Sequence, residues 1–167
     1  MRSLFTIEYE GANIADFVAT LRLKKVDVLL DVRELPASRR KGFSKRALAE
    51  HLEKAGIGYR HDKRLGSPRE IRHQLYADRD YDVFFRGFKK YLSSQMGLVK
   101  ALSEELTGNV ALMCYERDPK TCHRKVVAEA FSKFVAITPQ HLGVEKDAAR
   151  KNGHAARTDF GEGVSAA

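Results

Sequence analysis

The spacing of apolar residues along this chain alternates between two patterns, one typical of strands and one typical of helices. Short apolar runs over residues 4–9, 26–32 and 110–114 predict strands, and residues 57–61 are a shorter candidate. The run over 26–32 is almost wholly apolar, as expected of a central strand covered on both faces. A further short strand is expected near residues 135–137.

Between these runs, apolar residues recur every three or four positions, as they do on one face of a helix. Asn13 and Ser44 are typical N-caps, and Asp118 followed by Pro119 predicts another helix start. Strands that alternate with helices predict an α/β fold, a three-layer α/β/α sandwich with a mostly parallel sheet. The predicted helices cover residues 13–25, 44–56, 81–92, 98–106 and 119–134, with a loop or short helices over 65–80.

The length of 167 residues favours one folded unit. We expect a single α/β domain over residues 1–142 and, because the rest is polar and rich in Ala and Gly, a mobile polar tail over 143–167. No apolar run approaches the roughly 18 residues of a membrane span, so no membrane partner is expected. Two cysteines do not suffice for a disulfide scaffold and favour a reducing, cytoplasmic setting.

The positive charge of the chain is concentrated in one region. Residues 33–72 contain twelve Lys or Arg residues and five Asp or Glu residues, a net +7 of the total +8. This imbalance suggests an anionic partner such as a nucleotide or nucleic acid. The alternative is a solvated basic surface that only keeps the protein soluble.

Asp31 and Arg33 stand at the end of the second predicted strand, where open α/β sheets present groups to ligands. Arg33 suits two-pronged contact with phosphate or carboxylate, and Asp31 is a candidate acid or base. The alternative is a structural ion pair between them. Residues 36–44 combine cations, hydroxyls and a glycine before a helix start, which favours phosphate binding. The loop residues expected to contact the ligand are Ser38, Arg39 and Lys41.

Both cysteines lie in the segment that follows the fourth predicted strand. Cys114 is a candidate nucleophile, although a cysteine at the end of a buried strand is more often a small apolar residue. A phosphatase-like Cys-x5-Arg loop is absent because Lys120 occupies the arginine position. Zinc accepts Cys114, Cys122, His123 and a carboxylate as ligands, but neither Cys-x2-Cys nor His-x3-His spacing is present. The sequence therefore predicts no metal and no other cofactor.

Glu116 is the strongest candidate for general acid or base by position, ahead of Asp31 and His61. The alternative for Glu116 is a solvated loop carboxylate. The helix that follows should turn its positive end toward the same cleft. Because consecutive residues point about 100° apart around a helix, Arg124 is assigned to the ligand and His123 to neighbouring backbone.

Several short motifs follow one another in order: Thr6-Ile7-Glu8-Tyr9-Glu10-Gly11, Asp31-Val32-Arg33 with Pro36, Ser38-Arg39, Gly42-Phe43-Ser44, Leu65-Gly66, and Cys114-x-Glu116-x2-Pro119-x2-Cys122-His123-Arg124. Together they resemble the domain of unknown function 488 family from Thr6 to about Phe134. The resemblance implies a fold and a site but no established reaction. The chain departs from the family at Glu8, usually glycine, and at Ser67, often a second glycine; Glu8 is expected to narrow or repurpose the site beside the first strand.

These observations favour binding, with hydrolysis or transfer, of a phosphate-bearing substrate at the C-terminal edge of the sheet. The alternative is a non-catalytic nucleic-acid-binding module that uses the basic region 33–72. The residues assigned to chemistry are Asp31, Cys114 and Glu116; those assigned to substrate are Arg33, Ser38, Arg39, Lys41 and Arg124; those that position them are Glu8, Tyr9, His61, Cys122 and His123.

Overall fold

The computed structural model of the chain describes residues 1–158. Within these residues, five strands form one sheet and seven α-helices surround it. The strands are β1 (Ser3–Glu8), β2 (Val28–Asp31), β3 (Gly58–His61), β4 (Asn109–Cys114) and β5 (Gln140–Leu142). The helices are α1 (Ile14–Leu23), α2 (Lys45–Lys54), α3 (Arg69–Asp78), α4 (Tyr81–Ser93), α5 (Met96–Glu105), α6 (Arg124–Val135) and α7 (Ala148–Thr158).

The sheet is parallel throughout and has the order β3-β2-β4-β1-β5. Strand β4 therefore lies between β1 and β2. Asp31 is in register with Met113, and Glu8 is in register with Cys114. Since neighbouring strands are about 4.8 Å apart, the carboxyl ends of these three strands form one continuous edge.

Helices cover both faces of the sheet, which confirms the predicted α/β fold. On one face, Leu29 packs with Phe17 of α1 and Leu48 of α2. On the other face, Leu30 lies in a core formed with α4, α5 and α6, which includes Phe88. Successive residues of β2 thus point to opposite cores, which is why its sequence is apolar without alternation.

Within the segment that the composition predicts as a mobile polar tail, the structure contains helix α7. Helix α7 packs on α1, and Ala148 is fully buried. The Asp16 carboxylate accepts hydrogen bonds from the backbone N–H groups of Asp147 and Ala149, both at 3.1 Å. Because its buried residue Ala148 is small, α7 packs closely on α1. It does so without the large apolar residues by which a core helix is recognised in a sequence. Residues 159–167 of the predicted tail lie outside the described part of the chain.

Two element boundaries also differ from the predictions. Helix α6 continues to Val135 and ends at Ala136, which has a φ of 52°, so the last strand begins only at Gln140. At its other end, α6 begins at Arg124 rather than at Pro119. Residues Pro119–Thr121 form a 3-10 turn instead. Among residues 1–158, no helix combines the length and the apolar character needed to cross a membrane.

Candidate functional site

The carboxyl edge of the sheet opens into a cleft of about 1410 Å³ beside β2 and β4. The loop over 36–44 forms one wall and helix α3 forms the opposite wall. The cleft is larger than three other cavities of the protein, which measure about 590, 440 and 290 Å³. Its floor includes Arg33, Cys114, Glu116 and His123, and its walls include Ser38, Arg39, Arg40, Lys41, Ser67, Arg72, His73, Tyr76 and Arg79.

Arg33 of this floor forms a buried, bidentate ion pair with Asp31, which lies behind it. The Nε and Nη2 groups of Arg33 donate to the two carboxylate oxygens of Asp31 at 2.8 and 2.6 Å. The Tyr59 hydroxyl donates to the same carboxylate at 2.7 Å. Asp31 has no exposed surface, so it cannot exchange a proton with a ligand in the cleft. The geometry is that of the structural ion pair, and the structure does not place Asp31 on the lining of the cleft.

The remaining contacts of Arg33 hold its guanidinium in place. The Nη1 group donates to the Tyr9 hydroxyl at 3.0 Å and to the Phe43 carbonyl at 2.8 Å. The Tyr9 ring stacks on Phe43, and His61 Nε2 lies 2.8 Å from the Arg33 carbonyl. Burial lowers the pKa of Arg33, but the Asp31 contacts outweigh it and raise the pKa overall. Four of five N–H groups are therefore used internally, which leaves Arg33 little capacity to hold an anion.

Cys114, Glu116, Cys122 and His123 meet at the floor of the cleft. The Cys114 thiol donates to Glu116 Oε2 at 2.9 Å. His123 Nδ1 lies 3.8 Å from Cys114 Sγ and 4.0 Å from Cys122 Sγ. Its other ring nitrogen, Nε2, lies 2.8 Å from the Val32 carbonyl. The contact with backbone assigned to His123 is thus present, and the segment 114–124 brings these four side chains together.

The protonation of this cluster follows from burial and from its charges. Burial raises the pKa of Glu116, but nearby His123 and hydrogen bonds from both thiols outweigh it, so the pKa falls below its usual range. A hydrogen bond with Cys122 lowers the pKa of Cys114, but burial and the Glu116 charge raise it overall. Burial raises the pKa of Cys122 well above its usual range. At neutral pH, therefore, Glu116 is a carboxylate that can accept a proton and both cysteines are thiols.

Arg124 does not face the cleft. Its guanidinium donates to the carbonyls of Glu116 and Arg117, and it lies 4.0 Å from the Glu8 carboxylate. Both Arg124 and Glu8 line a second cavity, of about 590 Å³, on the other side of β1. The physical reason is the 3-10 turn at residues 119–121, which delays the start of α6 until Arg124 and directs its side chain away from the cleft. The structure therefore does not bring Arg124 together with the other residues predicted to contact the ligand in the cleft.

Glu8 is buried at the end of β1. Its Oε1 accepts a hydrogen bond from the Val144 backbone N–H at 3.4 Å. Burial raises the pKa of Glu8 above its usual range, although the Val144 contact and the Arg124 charge act in the opposite direction. Glu8 therefore occupies the second cavity and does not narrow the cleft that Cys114 lines.

The loop over 36–44 contributes Ala37, Ser38, Arg39, Arg40 and Lys41 to the lining of the cleft. Ser38 Oγ accepts from the Arg40 N–H, and Ser44 Oγ accepts from the Ser38 N–H, both at 3.1 Å. Gly42 has a φ of +91°, and a Cβ there would lie 2.8 Å from Ile14 Cβ, so both the turn and the packing require glycine. The N–H groups of Ser38 and Arg40 are thus used within the loop, while the side chains of Arg39 and Lys41 supply cations to the cleft wall.

The twelve cations of the basic region do not form one surface. Five of them line the cleft, whereas Arg46, Arg60 and Arg64 form ion pairs elsewhere, with Glu50, Glu105 and Asp62. Arg79 and His73 of the cleft's second wall were not assigned to the site from the sequence, and Ser67 was noted there only as a departure from the family. Helix α3 buries no residue, so its apolar pattern gave no indication that it forms a wall.

A comparison with protein-family models agrees with the motifs identified in the sequence. The family model described as "Domain of unknown function DUF488" matches residues 13–131, which include the loop over 36–44 and the segment 114–124. Neither the curated proteins nor the solved structures gave a match. Because the matched region covers well over half of the 167 residues, the chain belongs to the DUF488 family.

Proposed function

We propose that the cleft binds a phosphate-bearing ligand, a nucleotide or a nucleic-acid strand, and that the residues on its floor hydrolyse or transfer it. The observation that carries this proposal is the set of cations on the two walls. Arg39 and Lys41 on one wall and Arg79 on the other form no ion pair with any residue between 1 and 158. Unneutralised cations around a concave surface concentrate positive potential and attract anions.

The size and aromatic content of the cleft favour a ligand that carries bases. Its volume of about 1410 Å³ exceeds the roughly 300–1,000 Å³ of common small-molecule pockets. Tyr76 and Tyr115 line it with 61% and 46% of their surface exposed. Aromatic rings beside cations are the usual platform on which the bases of single strands stack.

Ser67 provides a further polar group for such a ligand. Its side chain lines the cleft, and only 2% of the residue is exposed. Among the described residues, its Oγ has no hydrogen-bond partner. A buried hydroxyl without a partner is costly, and a ligand oxygen beside it would remove that cost.

Glu116 is the residue best suited to the chemistry. As a carboxylate it can take the proton of a water molecule while that water attacks phosphorus and the bond from phosphorus to the leaving group breaks. Attack by Cys114 Sγ on phosphorus is the second route: the thiol transfers its proton to Glu116 Oε2 at 2.9 Å, the bond from phosphorus to the leaving group breaks, and the leaving oxygen takes that proton. Glu116 then takes a proton from water or an acceptor hydroxyl, whose oxygen displaces Cys114 from phosphorus, and the sulfur regains the proton. Both routes require Glu116.

A binding screen followed by turnover measurements tests the proposal. The full chain is screened by thermal shift against nucleotides and oligonucleotides, where a ligand at about 100 times its Kd adds roughly 2.7 kcal/mol. For the best ligand, Glu116→Gln should lower turnover by about 10²–10⁴ and keep binding, whereas Glu50→Gln on α2 should change neither. Binding without turnover by the wild type would contradict the catalytic part and support the non-catalytic module. If none of the nucleotides and oligonucleotides binds, both the binding and the catalytic part of the proposal are contradicted.

A further inference from the structure

We propose that Cys114, Cys122 and His123 bind a divalent metal ion, Zn²⁺, at the floor of the cleft. The two Sγ atoms and the imidazole nitrogen all lie within 4.8 Å of one another. In a tetrahedral site with Zn–S near 2.3 Å and Zn–N near 2.0–2.1 Å, a sulfur and a nitrogen are about 3.6 Å apart. The observed separations of 3.8 and 4.0 Å reach this value with shifts of a few tenths of an ångström.

The orientation of His123 is a second, independent observation. The Val32 carbonyl can only accept a hydrogen bond, so His123 Nε2, at 2.8 Å from it, must carry a hydrogen. Metal binding requires the neutral ring, and in that ring the lone pair of Nδ1 is the one near the two sulfurs. The edge contact with Phe88, 5.2 Å between ring centroids, fixes the ring in this position. At metal sites, a histidine ligand usually donates from its other ring nitrogen to a carboxylate, a backbone carbonyl or water, which fixes the orientation of the ring.

The identity of the donors selects the ion. Two thiolates and one imidazole suit zinc, whereas magnesium and calcium require oxygen donors. Three protein ligands leave one coordination position, and Cys114, His123 and Glu116 line the cleft while Cys122 is buried below them. The remaining position therefore faces the cleft beside the Glu116 carboxylate, which is the arrangement of zinc sites that retain a water or substrate ligand.

This inference does not rest on phosphate binding, because it is tested without any phosphate ligand. Zinc binding would, however, assign Cys114 the role of a ligand, and Glu116 would remain the acid or base beside the ion. The three ligands do not have a common zinc-binding spacing in the sequence, because Cys114 ends a strand and the other two follow a separate 3-10 turn.

Cobalt titration of the full chain tests the site. The reduced, chelator-treated protein should bind one equivalent of Co²⁺ with a sulfur-to-cobalt charge-transfer band, and Zn²⁺ should displace the Co²⁺. Cys122→Ser and His123→Gln should weaken binding by more than about 10-fold. His73→Gln, at an exposed histidine on the wall of the same cleft, should bind like the wild type.

Because Cys122 and His123 are buried, their variants can fail to fold, and a measurement on the wild type avoids this difficulty. In the native protein, Zn²⁺ should slow the reaction of both cysteines with a thiol reagent and raise the Tm. The absence of a charge-transfer band from the wild type, with both thiols shown to be reduced, would overturn the proposal. Equal Co²⁺ binding by a folded Cys122→Ser variant would do the same.

Discussion

Arg33 binds Asp31 through two hydrogen bonds of 2.8 and 2.6 Å within a fully buried setting. The same Asp-x-Arg geometry recurs at Asp62 and Arg64, where the two bonds measure 2.9 and 2.6 Å. In both pairs the arginine backbone N–H also donates to the aspartate. The pairs differ mainly in exposure, because Arg64 lies at the surface. They therefore offer a matched comparison of a buried and an exposed ion pair.

Asp31→Asn should destabilise the protein strongly. The substitution leaves the Arg33 charge buried without its partner, which typically costs about 3–5 kcal/mol. Asp62→Asn, the control, should cause a much smaller loss because solvent screens the exposed pair. Urea denaturation at pH 7 measures both free energies of unfolding. Equal losses for the two variants would show that burial does not determine the importance of the pair.

Removal of helix α7 should lower stability, contrary to what the composition of the segment suggests. A chain that ends at residue 144 loses the buried Ala148 and the two backbone N–H groups that bind Asp16. Loss of a capping interaction alone costs about 1 kcal/mol, or roughly 2–4 °C in Tm for a chain of this size. A chain that ends at residue 158 is the control and should melt close to the full chain. Identical Tm values for both truncations would contradict the packing of α7 on α1.

The contribution of Asp16 to stability should disappear in acid. Hydrogen bonds from the backbone N–H of Ala149, and then from Asn13 and Asp147, hold the pKa of Asp16 below its usual range despite burial. A lowered folded-state pKa means that the stabilisation is present above the unfolded pKa of about 3.9 and is lost as pH falls through the folded value. The stability difference between wild type and Asp16→Asn should thus be constant from pH 5 to 7 and shrink below about pH 4. A difference that persists unchanged at pH 3 would contradict this account.

Gly66→Ala should disturb the wall of the cleft. A Cβ at Gly66 would lie within 2.5 Å of the Glu34 Cα, and the backbone there cannot move without displacing the neighbouring Arg33. Overpacking of this kind costs about 1–3 kcal/mol. Gly97→Ala is the control, since no atom lies within 4 Å of its added Cβ in helix α5, and alanine there should stabilise by about 0.5–1 kcal/mol. Denaturation curves in which Gly66→Ala is as stable as the wild type would refute the close approach.

The sequence predicted the features that depend on local patterns. The apolar runs and the helical spacing of residues such as Phe17 and Phe88 suffice for the α/β fold, because each element must bury one face or two. The sequence also placed Cys114 at the end of a buried strand, and β4 ends at this residue in the structure. Residues that follow the carboxyl ends of neighbouring parallel strands lie at the same edge of the sheet. Their positions in the chain therefore suffice to predict that they are close together.

Features that depend on contacts between distant segments were not predictable in this way. The direction of Arg124 depends on a 3-10 turn whose sequence, with Asp118 and Pro119, also fits an α-helix start. The docking of α7 depends on Ala148 fitting against α1, a matter of shape and not of hydrophobicity. The sequence alone could not show which cations of the basic region form ion pairs. The pairs of Arg60 with Glu105 and of Arg72 with Glu34 join residues that are far apart in the chain.

The most direct test of the central claim compares two double variants that remove equal charge from the basic region. Arg39→Ala with Lys41→Ala removes two cations of the cleft, and Arg46→Ala with Lys54→Ala removes two exposed cations of α2. Binding of a single-stranded oligonucleotide is measured by fluorescence anisotropy over a range of salt concentrations. The cleft variant should bind more weakly, and its slope of log K against log salt should be shallower by about 1.4, or 0.7 for each lost phosphate contact. The α2 variant should match the wild type, whereas equal effects of both variants, or an affinity indifferent to salt, would contradict the cleft as the phosphate-binding site.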